Sequence, residues 1–340
     1  MTGRGSRRAR ALLAVVASGA VLCAGCAVAT APPNPPAAAP QLSPPGTGPT
    51  TITPARRTPL CDATASYRPL APMPKAGQMP AGTYLAQIQR SGRLRVGVDQ
   101  TTYLWGYRDP LSHGRLVGFD IDMLRLVARA IWGNDGKDHL VTVVVPNTDR
   151  VAAVQHHKVD IVAETMTITC DRRKHVDFST VYYNAGQEVL VPRGSPITSD
   201  RRTLAGQRVC ATSGSTSLHH LADLRLVPPV LTVAARTQAD CLVMLQQGQV
   251  DAISTDDTIL QGMAAQDPTL KIIGPAFAPE PYGMAIAKDH RQLTEFVNGV
   301  LESARRDGDW ATIYRKWLGR LYGNTAPPPP SPAYLPAGAS

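Results

Sequence analysis

The sequence predicts an α/β fold in two similar units, the chain leaving the first, building the second and returning to the first. Three observations predict it. Short β-branched runs alternate with stretches of helical spacing, the signature of a parallel sheet covered on both faces. The alternation breaks off near residue 190 and begins again after residue 207. Two further apolar runs, residues 187–191 and 282–287, flank the second set and are the candidates for the two crossings.

Residues 93–99 read as a strand that ends on the carboxylate of Asp99. Residues 118–124 open a helix that continues to about 132, with Ile121, Leu124, Val127 and Ile131 on one face and Asp120 and Asp122 at its positive end. A strand over 141–145 follows, and Asn147 and Thr148 offer caps for a helix through Val151 and Val154. After a strand over 159–163 come Thr167 and Thr169, which alternate with Met166 and Ile168 and so face one side of an extended segment. Arg172 follows in a polar turn, where its planar fork of donors suits a carboxylate; Arg173 and Lys174 read as solvated charges. In the second unit, 208–211 is a strand, 213–217 a small polar turn opening a helix, 231–234 a strand, 237–247 a helix, and 251–257 a strand feeding a capped helix. Helices over about 293–307 and 309–319 are expected to pack on the first unit.

The 340 residues, 43% of them hydrophobic, suit two domains with sizeable cores. The formal charge is +9, but Arg4, Arg7, Arg8 and Arg10 precede an apolar run over 11–22. From residue 26 onward 31 basic residues face 26 acidic ones, a dispersed +5, and with four Phe in the chain a nucleic-acid surface is not expected. The basic start, the apolar run and Ala24-Gly25-Cys26 read as an export signal. It resembles a bacterial lipoprotein signal over 1–25, with Cys26 lipidated, although Cys23 stands where that signal usually has Leu. Residues 26–60, rich in Pro, Ala and Thr, read as a tether that at ~3.1 Å per residue reaches on the order of 100 Å. The chain is therefore expected to be exported and lipid-anchored to the outer face of the cytoplasmic membrane. The Pro-rich tail, 326–340, is expected to be disordered.

The motif order from about 85 to 318 resembles the solute-binding proteins of bacterial polar amino-acid uptake systems, nearest to the glutamine/glutamate-binding (GlnH-like) lipoproteins of actinobacteria. The resemblance rests on LRVGVD at 94–99, GFDID at 118–122, VDI at 159–161, TIT at 167–169 with Arg172, VDFS at 176–179, VDA at 250–252 and WATIYRKW at 310–317. It implies a type II two-lobed periplasmic-binding-protein fold, with lobe 1 over 61–190 and 282–325, lobe 2 over 191–281, and a ligand cleft between them. It implies that Arg172, helped by Thr167, grips the ligand's α-carboxylate, and that Asp256 and the Thr165 carbonyl take the α-ammonium. Thr212, Thr216, Thr255 and Asn147 stand where the family often has Lys, Gly, His and an aromatic. A neutral polar pocket results, suited to a small hydrogen-bonding side chain. Asp99, Thr102 and Tyr103 belong to the same end, Asp99 orienting it or binding an amide and Tyr103 walling it. Arg108 and Arg115 read as surface charges.

The function implied is capture of Glu, Gln, Asp or Asn by lobe closure and its presentation to an ABC permease or a transmembrane sensor, without catalysis. The alternative is a periplasmic dehydratase-like enzyme on the same fold, for which Glu164 is the nearest acid. No stretch has metal-ligand spacing and no phosphate loop is present, so neither metal nor cofactor is expected. Cys61, Cys170, Cys210 and Cys241 allow three connectivities in an exported chain. Cys210 and Cys241 share a lobe and are the first choice, which leaves Cys61 with Cys170; two reduced thiols are the alternative.

Overall fold

The computed structural model describes Gly48–Pro49 and residues 61–336. The signal, Cys26 and the rest of the tether lie outside the described residues. Among those described, no helix is long and apolar enough to cross a membrane.

The chain lays down β1 (Leu94–Val98), β2 (Leu140–Val144), β3 (Ile161–Val162) and β4 (Asp177–Phe178), then runs through the long β5 (Tyr183–Pro192). It next builds β6 (Arg208–Thr212), β7 (Leu231–Ala235), β8 (Ala252–Asp256) and β9 (Leu270–Ile273), and returns through β10 (Pro279–Tyr282) to β11 (Ala285–Ile286). Lobe 1 is a five-stranded sheet in the order β2-β1-β3-β11-β4, with β1 parallel to both of its neighbours. In lobe 2, β6 lies parallel to β7 and β8, and β5 joins antiparallel between β8 and β9. Gly48–Pro49 pairs antiparallel with β7.

The two crossings form one element. The first half of β5 pairs antiparallel with β10, Tyr183 opposite Tyr282 and Ala185 opposite Glu280, while its second half belongs to lobe 2. The lobes are thus joined by a two-stranded ribbon, the arrangement used for hinge closure.

Helices, among them α1 (Tyr84–Ser91), α5 (Thr216–Asp223) and α6 (Gln238–Gln246), cover both faces of each sheet. The stripe expected on α2 (Phe119–Trp132) is buried, Ile121, Leu124, Val127 and Ile131 all being inaccessible, and packs with α8 (Arg291–Arg306) and α9 (Asp309–Trp317) around Trp105, Tyr182, Phe296 and Trp310. Gly118 enters α2 at φ +140°, where a Cβ would lie 2.0 Å from the Trp105 carbonyl, so only glycine fits. A small three-stranded sheet, Thr101–Thr102, Gly106–Asp109 and Arg115–Val117, fills the connection between β1 and α2 and was not anticipated. Its strands are too short to show a period.

Both disulfides form, Cys61–Cys170 and Cys210–Cys241, with Cα–Cα distances of 6.1 and 5.6 Å. The tail departs from the expected disorder. Residues 326–336 run along lobe 1, where the Ser66 amide donates to the Ala333 carbonyl at 3.0 Å and the Leu335 amide to the Ser66 carbonyl at 2.8 Å. Arg305 Nε donates to the Pro330 carbonyl at 2.9 Å and Arg68 sits over the Tyr334 ring. Proline removes donors from the tail but leaves its carbonyls free to accept, and one aromatic supplies the anchor.

Candidate functional site

Arg172 lies on the single turn α4 (Cys170–Arg173), whose N-cap is Thr169, the hydroxyl accepting from the Arg172 amide at 3.1 Å. Thr169 is therefore committed to the turn. The Arg172 fork reaches both lobes: one nitrogen donates to the Thr167 carbonyl at 2.6 Å, the other to the Gly214 carbonyl of lobe 2 at 3.0 Å. Arg150, buried at the start of α3 (Arg150–Gln155), donates to that same carbonyl at 3.2 Å and to those of Asn147 and Glu164 at 3.1 and 3.0 Å. Burial first, and then the Arg150 charge, push the Arg172 pKa down to about 9. Gly214 is at φ +75°, and a Cβ on it would stand 2.9 Å from the Thr148 backbone, so the lobes meet there backbone to backbone.

Opposite the arginines stand two buried carboxylates. Glu280, on β10, accepts through one oxygen from the Thr167 hydroxyl of lobe 1 and from the Thr216 hydroxyl of lobe 2, the latter at 2.7 Å, and its other oxygen lies 3.2 Å from His220 Nδ1. Asp256 ends β8 and accepts from the Tyr282 hydroxyl at 2.5 Å and from Ser217 at 3.4 Å. It precedes α7 (Asp257–Gln266) without capping it through its side chain. Burial, then the neighbouring Glu280 charge, push the Asp256 pKa well up.

Thr165 takes a left-handed backbone, φ +41°, and its amide donates to Asp120 Oδ2 at 2.8 Å. The Tyr182 hydroxyl donates to the other oxygen of Asp120 at 2.7 Å. Burial pushes the Asp120 carboxyl up to about 7 against these hydrogen bonds. Because the folded pKa is raised, the contribution of this group to stability is fully present below about pH 4 and is lost as pH rises through about 7, on the order of 4 kcal/mol in all. Asp120→Asn is expected to flatten that part of the pH–stability profile; urea unfolding at several pH values reads it, and an unchanged slope would rule out this role.

An inter-lobe cleft of about 170 Å³ adjoins this cluster, lined by Asp99, Asn147 and Thr148 from lobe 1 and by Ser213, Thr237 and Gln238 from lobe 2.

Residues 94–320 match the family described as bacterial extracellular solute-binding proteins, family 3. The chain belongs to that family. Among its relatives are the ABC transporter glutamine-binding protein GlnH of Bacillus subtilis, 36% identical over 69% of this chain and 84% of that one, and the glutamate-binding protein GluB of Corynebacterium efficiens, 29% identical over 72% and 84%. The solved structure of an ancestral arginine-binding protein bound to arginine is 34% identical, with a TM-score of 0.61 over 67% of this chain and 99% of that one. The fold is that of the type II periplasmic amino-acid-binding proteins.

In this family 3 protein the residues singled out from sequence fall into groups. Arg172, Thr167 and Thr216 converge where the lobes meet, and Ser217, next to Thr216, donates to Asp256 at 3.4 Å and to Thr255 at 3.3 Å; Thr165 is held on lobe 1 by Asp120. Asn147 and Asp99 line the adjoining cleft, but Asp99 is engaged by its own turn, accepting from the Gln100 amide at 2.7 Å and from the Thr101 and Thr102 hydroxyls. Thr102 is thus a staple of that turn. Together with Tyr103 it lines a separate cavity of about 20 Å³. Thr212 is buried, and its hydroxyl has no partner among the described residues. Arg108 holds its own small sheet through Gln100 and the Gly114 carbonyl. Sequence reasoning missed Arg150, Glu280, Gln238 and Tyr282. Nothing local marks them, since each gains its place through contacts far along the chain. Glu164 is buried with neither carboxylate oxygen partnered among the described residues, and burial pushes its pKa well up.

Proposed function

We propose that this solute-binding protein captures a polar L-amino acid of the Glu, Gln, Asp and Asn class between its lobes and presents it to an ABC permease. The observation that carries the reading is the gathering of opposite charges where the lobes meet: Arg172 and Arg150 both donate to the Gly214 carbonyl, Glu280 accepts from the Thr167 and Thr216 hydroxyls, one from each lobe, and the buried Asp256 carboxylate is near enough to act on Arg172. That is the pattern complementary to a zwitterion. In the desolvated space between closing lobes each charge pair strengthens. In this reading Arg172 and Thr167 hold the α-carboxylate, and Asp256 with the Thr165 carbonyl holds the α-ammonium. Thr212, Thr216, Thr255, Asn147 and Asp99 shape the side-chain end, to which Gln238 is added. The names of the glutamine- and glutamate-binding relatives support the ligand class and the permease as receiver. Glu164 is given no proton-transfer role. Lipidation at Cys26, which would hold the protein outside the cytoplasmic membrane on the 26–60 tether, completes the reading.

Calorimetry and thermal melting of residues 61–336 against each of the twenty amino acids test it. A ligand at a hundred times its Kd stabilises by about 2.7 kcal/mol, which raises Tm by roughly 5–10 °C for a chain of this size. Heat and a shift with glutamine, glutamate, asparagine or aspartate are expected. No response to any of the four would sink the proposal.

A further inference from the structure

Among the described residues one group outside the cleft brings three donors of metal-ligand type together: His157, Asp289 and His290, whose ligating atoms all lie within 4.8 Å of one another. Asp289 and His290 are adjacent, but His157 lies 132 residues before Asp289, which is why no spacing motif reveals the group. The sheet brings them together. In lobe 1, β11 runs antiparallel to β3 with Ile286 opposite Ile161, so the turn that enters β3 and the turn that leaves β11 meet at one end of the sheet. The cleft residues Thr165 and Thr167 leave β3 at its other end, so the two sites are separate.

The distances suit one small ion. His157 Nε2 stands 3.3 Å from Asp289 Oδ2, and His290 Nδ1 stands 3.9 Å from Asp289 Oδ1. Ligands bound at 2.0–2.2 Å in a tetrahedron are separated by roughly 3.3–3.6 Å, close to the two His–Asp distances, and rotation of the exposed His157 and Asp289 side chains closes the remaining separation, which is within 4.8 Å. The two imidazole rings are 4.9 Å apart. His290 is held from behind, its ring stacked on Tyr84 at 3.5 Å, while the Tyr84 hydroxyl donates to Asp160 at 2.7 Å. The stack holds the plane of the His290 ring. His157 reaches the group from a left-handed turn at φ +52°, with its carbonyl fixed by Arg95 at 2.7 Å. Arg95, which holds the His157 carbonyl, is itself paired with Asp160, while the Asp289 carboxylate faces both imidazoles.

We propose that His157, Asp289 and His290 form a surface binding site for a divalent transition metal of the zinc type, with three protein ligands and the fourth position open to water. Two imidazoles and one carboxylate suit Zn²⁺, Ni²⁺ or Cu²⁺ and disfavour Ca²⁺ or Mg²⁺, which take oxygen ligands. The site is independent of amino-acid binding.

The test is calorimetric titration of the whole chain with Zn²⁺ alone near neutral pH, repeated with Mg²⁺. One saturable zinc site of micromolar affinity is expected, with no heat from Mg²⁺. His157→Ala and Asp289→Asn alter side chains that are 45% and 61% exposed, so folding survives, and each should weaken zinc binding by about tenfold or more. His175→Ala should leave it unchanged. Co²⁺ in place of Zn²⁺ should give the intense visible absorption of a four-coordinate ion, lost in both variants. Absence of saturable zinc binding, or binding that His157→Ala and Asp289→Asn both retain, overturns the proposal.

Discussion

Replacing Arg172 with alanine is expected to abolish amino-acid binding and leave the body folded. The guanidinium donates to the Thr167 and Gly214 carbonyls, one in each lobe, so it is positioned from both sides of the cleft. A ligand carboxylate left without it inside the closed cleft is an uncompensated buried charge, a loss of about 3–5 kcal/mol, or roughly a hundred- to several-thousand-fold in Kd. Stability should move little, because burial, and then the neighbouring Arg150 charge, already disfavour this cation in the fold. Arg172→Lys keeps a charge but loses the two-pronged geometry, and should recover only part of the affinity. Calorimetry with the ligand found in the amino-acid screen, alongside thermal melting of the same variants, reads both effects. Affinity within a few-fold of the parent in Arg172→Ala would mean that the carboxylate is held elsewhere.

The second large effect is expected at Cys61–Cys170. That bridge closes a separation of 109 residues, against 31 for Cys210–Cys241. If the main contribution of a disulfide is to restrict the unfolded chain, removing the first by Cys61→Ser with Cys170→Ser costs about 4–5 kcal/mol and removing the second about 3–4 kcal/mol. The first loss should also weaken ligand binding, because Cys170 opens the turn that carries Arg172. Urea unfolding ranks the two double variants. An equal or reversed order would show that native contacts, rather than chain restriction, set the difference.

What was legible in the sequence follows from physical range. The α2 stripe and the alternation of strands and helices are set by neighbours three or four residues apart, and both stand in the structure. The seven ordered motifs carried the family and the fold. The small sheet after β1 was hidden because strands of two to four residues carry almost no period. Glu280 was hidden for a different reason. It lies on the return strand between two prolines, and only the folded ribbon brings it to Thr167 and Thr216. Arg150 looked like any helix-opening arginine, and its burial against the Gly214 carbonyl depends on a loop 64 residues away. The tail was misread because composition reports what a segment can bury by itself, whereas residues 326–336 borrow their partners from Ser66 and Arg305.

The backbone contact at Gly214 also sets a mechanical limit. With no side chain there, the distance of closest approach between the lobes is fixed by peptide thickness, and the Thr148 backbone acts as the stop. Hinge rotation converts any bulk added at this point into residual gape along the whole mouth. The final angle of the jaws, and with it the snugness of whatever they hold, is governed by one hydrogen atom where other residues carry a carbon.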